Sequence, residues 1–160
     1  MFKDLVVINV KAGKGGNGIV AFRREKYVEF GGPAGGDGGQ GGDIIFEASE
    51  DLNTLIDFSY NRHLVAGDGE NGLNKNKKGK DGQDVVFKVP LGTEVYDDNK
   101  ELLLFDFITN GQRETIAKGG RGGRGNTSFK THKNPAPHYS ENGDLGEELK
   151  LRLELKVLAD

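Results

Sequence analysis

Three clusters of basic residues carry the strongest chemical signal in this chain of 160 residues. Arg23, Arg24 and Lys26 precede the longest glycine block. Lys75, Lys77, Lys78 and Lys80 crowd one polar stretch, and Lys130, His132, Lys133 and His138 occupy another. The formal net charge is −3, so attraction for an anion must come from such local patches and not from the whole chain. Tyr27, Phe30 and Tyr139 lie beside the clusters and offer rings on which unpaired bases stack. Cations beside aromatic rings suit an RNA contact. The plainer account is charged loops that are merely solvated, and spacing alone leaves both open.

Other chemistries have less support. G-x-G-x-x-G occurs at 13–18, 36–41, 67–72 and 120–125, but no amphipathic helix follows any of them, so a dinucleotide site is not indicated. The phosphate-loop pattern G-x-x-x-x-G-K-[ST] needs a hydroxyl residue after Gly-Lys. Gly13-Lys14 is followed by Gly15, and Gly79-Lys80 by Asp81. GTP hydrolysis is therefore not expected from these residues alone. His63, His132 and His138 lack metal-ligand spacing, Ser128 with His132 has no nucleophile-elbow context, and Cys is absent. No catalytic residue and no metal ligand is assigned. No apolar run is long enough for a membrane-spanning segment or a signal peptide, and a soluble, cytoplasmic protein is expected.

What must position the basic clusters is glycine. There are 26 glycines, and many recur at intervals of three: Gly35, Gly38 and Gly41 with Gly36, Gly39 and Gly42; Gly119, Gly122 and Gly125 with Gly120 and Gly123; Gly13 and Gly16 with Gly15 and Gly18. Three residues per turn is the repeat of the polyproline II helix. Omitting two side chains in three leaves bare backbone edges, along which extended segments can pack. Each ordered glycine costs roughly 0.5–1 kcal/mol against alanine. Together they would exceed the ~5–15 kcal/mol net stability of a domain unless the geometry requires them. The spacing thus predicts stiff left-handed helices rather than a linker, and a linker would also lack the period. For Arg121-Gly122-Gly123-Arg124-Gly125 it favours a packed segment with outward arginines over a disordered RGG-type RNA binder.

The other elements read as strands at 5–11, 43–48, 84–90, 93–96, 102–107, 112–118 and 149–156, the last from Leu149, Leu151, Leu153 and Leu155 alternating with charged residues. A turn or short helix is expected within 52–60. The stretches 67–83 and 126–148 read as long exposed loops. The reading is one domain over 1–160, mainly β with little helix, as a small barrel or sandwich.

These blocks, in order, resemble the amino-terminal domain of the Obg family of GTP-binding proteins. The matching residues are 13–18 (GKGGNG), 21–28 (AFRREKYV), 31–39 (GGPAGGDGG), Asp57-Phe58, Lys88-Val89-Pro90 with Gly92-Thr93, 119–126 (GGRGGRGN), 134–137 (NPAP), 140–143 (SENG) and 153–160 (LELKVLAD). The resemblance implies an Obg fold, an eight-stranded β-barrel carrying six glycine-rich left-handed helices. It also implies a parent protein that continues past Asp160 into a GTPase domain using GTP, GDP and Mg²⁺, whereas no cofactor is expected in these residues. It further implies docking on the large ribosomal subunit near its peptidyl-transfer centre, in large-subunit assembly and stress or growth control. The contacting loops carry over as about 23–37, 72–84 and 132–148. The competing class is a protein-interaction scaffold that docks regulators or the GTPase domain without touching RNA.

Overall fold

The computed structural model describes residues 2–23 and 31–156. Eight strands are present among the described residues: β1 (Phe2–Lys11), β2 (Ile44–Ser49), β3 (His63–Val65), β4 (Val85–Pro90), β5 (Thr93–Asp97), β6 (Leu102–Phe107), β7 (Arg113–Ala117) and β8 (Glu148–Lys156). A single short α-helix, α1 (Ile56–Tyr60), and a 3₁₀ turn at Asn126–Phe129 are the helical pieces among them. Helix is as scarce as expected, because apolar residues alternate with period two in the strands and glycine recurs with period three between them.

The strands form two sheets, one of five in the order β3-β1-β8-β5-β6 and one of three in the order β4-β2-β7. No ladder joins the sheets among the described residues, so the closed eight-stranded barrel expected from the resemblance is replaced by two open sheets face to face. The reason lies in side-chain packing. The inward residues of both sheets, including Ile8, Val10, Leu151, Leu153, Val95, Phe107, Ile44, Phe46 and Val89, form a single buried cluster. Phe46 of β2 and Phe107 of β6 bring their ring centroids to 6.4 Å across the gap, and Phe58 of α1 closes on Phe46 at 5.6 Å. The leucines of β8 read correctly as a half-buried strand: Leu151, Leu153 and Leu155 point inward.

Register fixes where the chain leaves the sheets. Lys11 at the end of β1 lies opposite Val65 and Glu148, and Ile44 at the start of β2 lies opposite Val85 and Ala117. All six of these strand ends therefore lie at one end of the sandwich. Between them run six extended segments in three hairpins: 12–19 out and 34–42 back, 66–73 out and 77–84 back, 118–126 out and 141–147 back.

The segments are tied by backbone hydrogen bonds with a three-residue step. Gly13, Gly16 and Ile19 N–H groups donate to Gly42, Gly39 and Gly36 carbonyls at 2.9, 2.8 and 3.3 Å. Gly36, Gly39 and Gly42 then donate to Leu73, Glu70 and Gly67, while Gly120 and Gly123 donate to Gly13 and Gly16. Glu141, Asp144 and Glu147 donate to Arg124, Arg121 and Lys118. Each glycine series thus serves a different neighbour. An added Cβ on Gly35, Gly38, Gly41, Gly119, Gly122 or Gly125 would run into a carbonyl of an adjoining segment, as it would on Gly36, Gly39, Gly42, Gly120 or Gly123. Positive φ is confined, among described glycines, to Gly92 and Gly111 in strand-joining turns, so the bundle needs its glycines for close approach and not for left-handed backbone.

Two expectations are corrected here. Residues 67–83 are a hairpin of two packed segments, not a loose loop. The second half of 126–148 is the sixth segment, with only Gly143 and Gly146 to mark its period. Peripheral segments touch fewer neighbours than 12–19 and 34–42, so they need fewer bare edges and hide their repeat.

Candidate nucleic-acid interface

The third position of each triplet carries a side chain, and many of these side chains complete the bundle. Asp68 and Asn71 carboxyl or amide oxygens accept from the N–H of Lys14 and Asn17, each at 2.8 Å. Asp81 accepts from Gln40, Asp84 from Asp43, Asp43 from Gly119 and Asp37 from Gly125, all at 2.7 or 2.8 Å. Carboxylates therefore accept from N–H groups that no carbonyl reaches. Sequence reasoning missed this use of acidic residues, although Asp, Asn or Gln recurring in the non-glycine slot was its signal.

The described ends of the three hairpins meet at the far end of the bundle. Asn76 N–H donates to Ala34 O at 2.9 Å and Asn126 N–H to Ile19 O at 3.0 Å. Asn126 joins the first and third tips through its side chain. Its Oδ1 accepts from Gly35 N–H at 2.8 Å, and its Nδ2 donates to Ala21 O and Pro137 O, each at 3.0 Å. The residue is fully buried, so all of this bonding occurs away from water. Thr127 Oγ1 and Asn76 Oδ1, 2.6 Å apart, link the third tip to the second. Phe22 and His138 rings stack across the first and third tips with centroids 4.8 Å apart.

Of the residues singled out in the sequence, this end gathers Arg23, Lys75, Lys77, Lys130, His132, Lys133 and His138, all exposed. Lys78 and Lys80 sit instead on the fourth segment, back from the turn, and Lys78 pairs with Asp81 at 3.4 Å. Arg24, Lys26, Tyr27 and Phe30 lie outside the described residues. Tyr139 stacks on Phe129 at 4.8 Å, and Phe129 in turn lies 4.5 Å under the Arg124 guanidinium. Arg121 and Arg124 point outward from their packed segment, as expected.

Several cations elsewhere are ion-paired. On the five-stranded sheet Arg152 reaches Glu101, Asp98 and Glu154 at 2.9, 3.2 and 2.8 Å, and Lys156 pairs with Glu94. Lys75, Lys77, Lys130 and Lys133 make no ion pair with a described residue. Four lysines without an ion pair to a described residue thus stand together where the three hairpins end, a surface suited to a polyanion, whereas Lys11, Lys14, Lys88, Lys100 and Lys118, which also lack one, lie scattered along the chain. No group of residues able to hold a metal occurs among the described residues.

Beside the tips, Arg124 binds Glu141 through Nε at 2.8 Å. That hydrogen bond, with the Arg124 backbone N–H, holds the Glu141 carboxyl at about 2, below its ordinary 4.5. Because the folded value is the lower one, this contribution is complete above about pH 5 and is lost as pH falls toward 2. The urea midpoint is expected to fall across that window. Glu141→Gln should flatten the fall, whereas an unchanged acid limb would assign no stability to the pair.

The chain is thus a β-sandwich whose long crossovers are glycine-rich hairpins that carry basic residues at their described ends. Residues 3–157 match the GTP1/OBG family model, and the chain belongs to that family. It is 59% identical over its full length to GTPase Obg of Bacillus licheniformis. It is 58% identical to GTPase Obg of Staphylococcus epidermidis and of Staphylococcus aureus. All of this chain is covered in each case, and it spans 37% of the length of these curated relatives.

Proposed function

We propose that residues 1–160 form one Obg-type domain of a cytoplasmic GTPase, and that the domain docks on the large ribosomal subunit by contacting ribosomal RNA. GTP, GDP and Mg²⁺ belong, in this reading, to a GTPase domain elsewhere in the protein, since these residues lack a phosphate-loop pattern. The six segments act as left-handed polyproline-type rods. The three-residue hydrogen-bond step supports this, as does the backbone of Gly125 at φ −75°, ψ 168°. At ~3 Å per residue, the rods hold the tips roughly 20 Å from the sheets.

The observation that carries the proposal is the convergence of unpaired cations on the joined tips. The domain would act in large-subunit assembly and in growth or stress control, reaching toward the peptidyl-transfer centre.

Co-sedimentation with purified large subunits across a salt series tests it. Replacing Lys75, Lys77 and Lys133 with Ala should weaken binding about tenfold or more at low salt. It should also lower the salt slope by about two to three, since each lost phosphate contact removes roughly 0.7–0.9. Equal binding by the variant at every salt concentration would refute the contact.

A further inference from the structure

The second tip is built with a residue that suits its backbone poorly. Lys77 N–H donates to Asn74 O at 3.4 Å and Leu73 N–H to Lys77 O at 2.8 Å, closing a tight turn. Its central residues, Lys75 and Asn76, have φ of 59° and 57°. Two consecutive left-handed residues define the type I′ turn, whose usual occupants are Asn, Asp and Gly. Asn76 fits that preference and Lys75 does not. Glu101, the other non-glycine residue with positive φ among those described, has φ of 52°, and the Arg152 guanidinium holds its carboxylate. Lys75 has no comparable partner among the described residues. The turn itself serves the fold through Asn76, which bonds Ala34 and Thr127, but no described contact accounts for a lysine at position 75, and that points to a use for its charge outside the fold.

Lys75 stands on the rim of a cleft of about 870 Å³ between the first and second tips. Phe22 and Ala34 supply apolar surface, Asn74 and Asn76 supply amides, and Arg23 and Lys75 supply positive charge. The volume falls within the ~300–1,000 Å³ usual for a site that takes one small ligand. Aromatic surface suits a base, side-chain amides suit its hydrogen-bonding edge, and a cation suits its phosphate. A paired base cannot present itself in this way without leaving its stack.

We propose that this cleft takes one unpaired nucleotide of a single-stranded RNA segment, with Lys75 as its phosphate contact. The inference rests on the RNA-contact reading of the tips and narrows it to a single-stranded target and a place. Lys75 is a determinant of affinity retained against the conformational preference of its turn.

Fluorescence anisotropy with a labelled oligoadenylate about eight nucleotides long, and with an RNA duplex of the same length, tests this. The single strand should bind about tenfold or more tightly than the duplex. Lys75→Gly should weaken single-strand binding about fivefold, lower its salt slope by roughly 0.7, and leave the melting temperature unchanged or raised by about 1–3 °C. Lys75→Asn should behave likewise, and Lys75→Arg should retain binding at the cost of no gain in melting temperature. A purely structural lysine would show no binding loss in the glycine variant. Equal affinity for single strand and duplex, or unaltered single-strand binding by both uncharged variants, overturns the assignment. Large subunits are sedimented in parallel. Subunit binding without single-strand preference rejects the nucleotide site alone, and no binding to either rejects the RNA reading with it.

Discussion

Gly38→Val is expected to cost at least about 4 kcal/mol and to lower the melting temperature by roughly 8–16 °C. The added Cβ would lie against the Gly16 carbonyl, with Asn17 N only 2.9 Å away. Those atoms are backbone, so no rotamer change can clear them. The Gly38 N–H also donates to Gly123 O at 2.8 Å, and Gly122 packs its bare edge on Gly38 O. One substitution therefore pushes apart three of the six segments. The comparison is Gly32→Ala, where an added Cβ meets no described atom within 4 Å and the expected change is within about 0.5 kcal/mol. Thermal melts of the two variants decide the matter. A Gly38→Val chain melting within about 2 °C of the parent would show that the segments are not packed backbone to backbone.

Asn126→Ala is expected to destabilise the chain by about 2–4 kcal/mol and to reduce large-subunit binding about tenfold. Alanine removes the acceptor of Gly35 N–H and the donor to Pro137 O, leaving both buried groups without that partner, while Ala21 O loses one of two donors and keeps Ala34 N–H. Unlike Gly38, Asn126 sits at the tips, so its loss should loosen the first and third turns before the sheets. Amide hydrogen exchange at Gly35 should accelerate selectively, with β8 amides moving only as far as global stability requires. Asn126→Asp provides a sharper comparison. It keeps the size but turns a carboxylate oxygen toward the carbonyls of Ala21 and Pro137, so it should bind no better than the alanine variant. Unchanged exchange at Gly35 in both variants would mean that the amide does not hold the tips together.

Much of the bundle was legible because its rule is local. Where a segment touches neighbours on several sides, as 34–42 does, two side chains in three must vanish, and the period is written in glycine. The outer segments show the limit of that rule. Residues 141–147 bond only to 12–19 and 118–126 in the bundle and need only Gly143 and Gly146, so a loop was expected where a packed extended segment exists. The strands were found for an equally local reason, the alternation of apolar residues, and β3 was overlooked because three residues are too few to alternate. The short helix fell within 52–60 as expected.

The site divides in the same way. Composition and spacing by themselves established a mainly β chain, glycine-rich segments with a period of three and three basic clusters. They could not say which lysines stand at the tips and which lie along a rod, because Lys75 and Lys80 belong to one run of sequence. Nor could they reveal that Asn126 joins residues about a hundred positions apart, or that two open sheets stand in place of a closed barrel. Helical period and strand alternation depend on neighbours along the chain, so sequence carries them. Convergence of the hairpin turns and closure of a sheet depend on which strand ends lie opposite one another, and that register is set only when the long-range hydrogen bonds and the shared core form together.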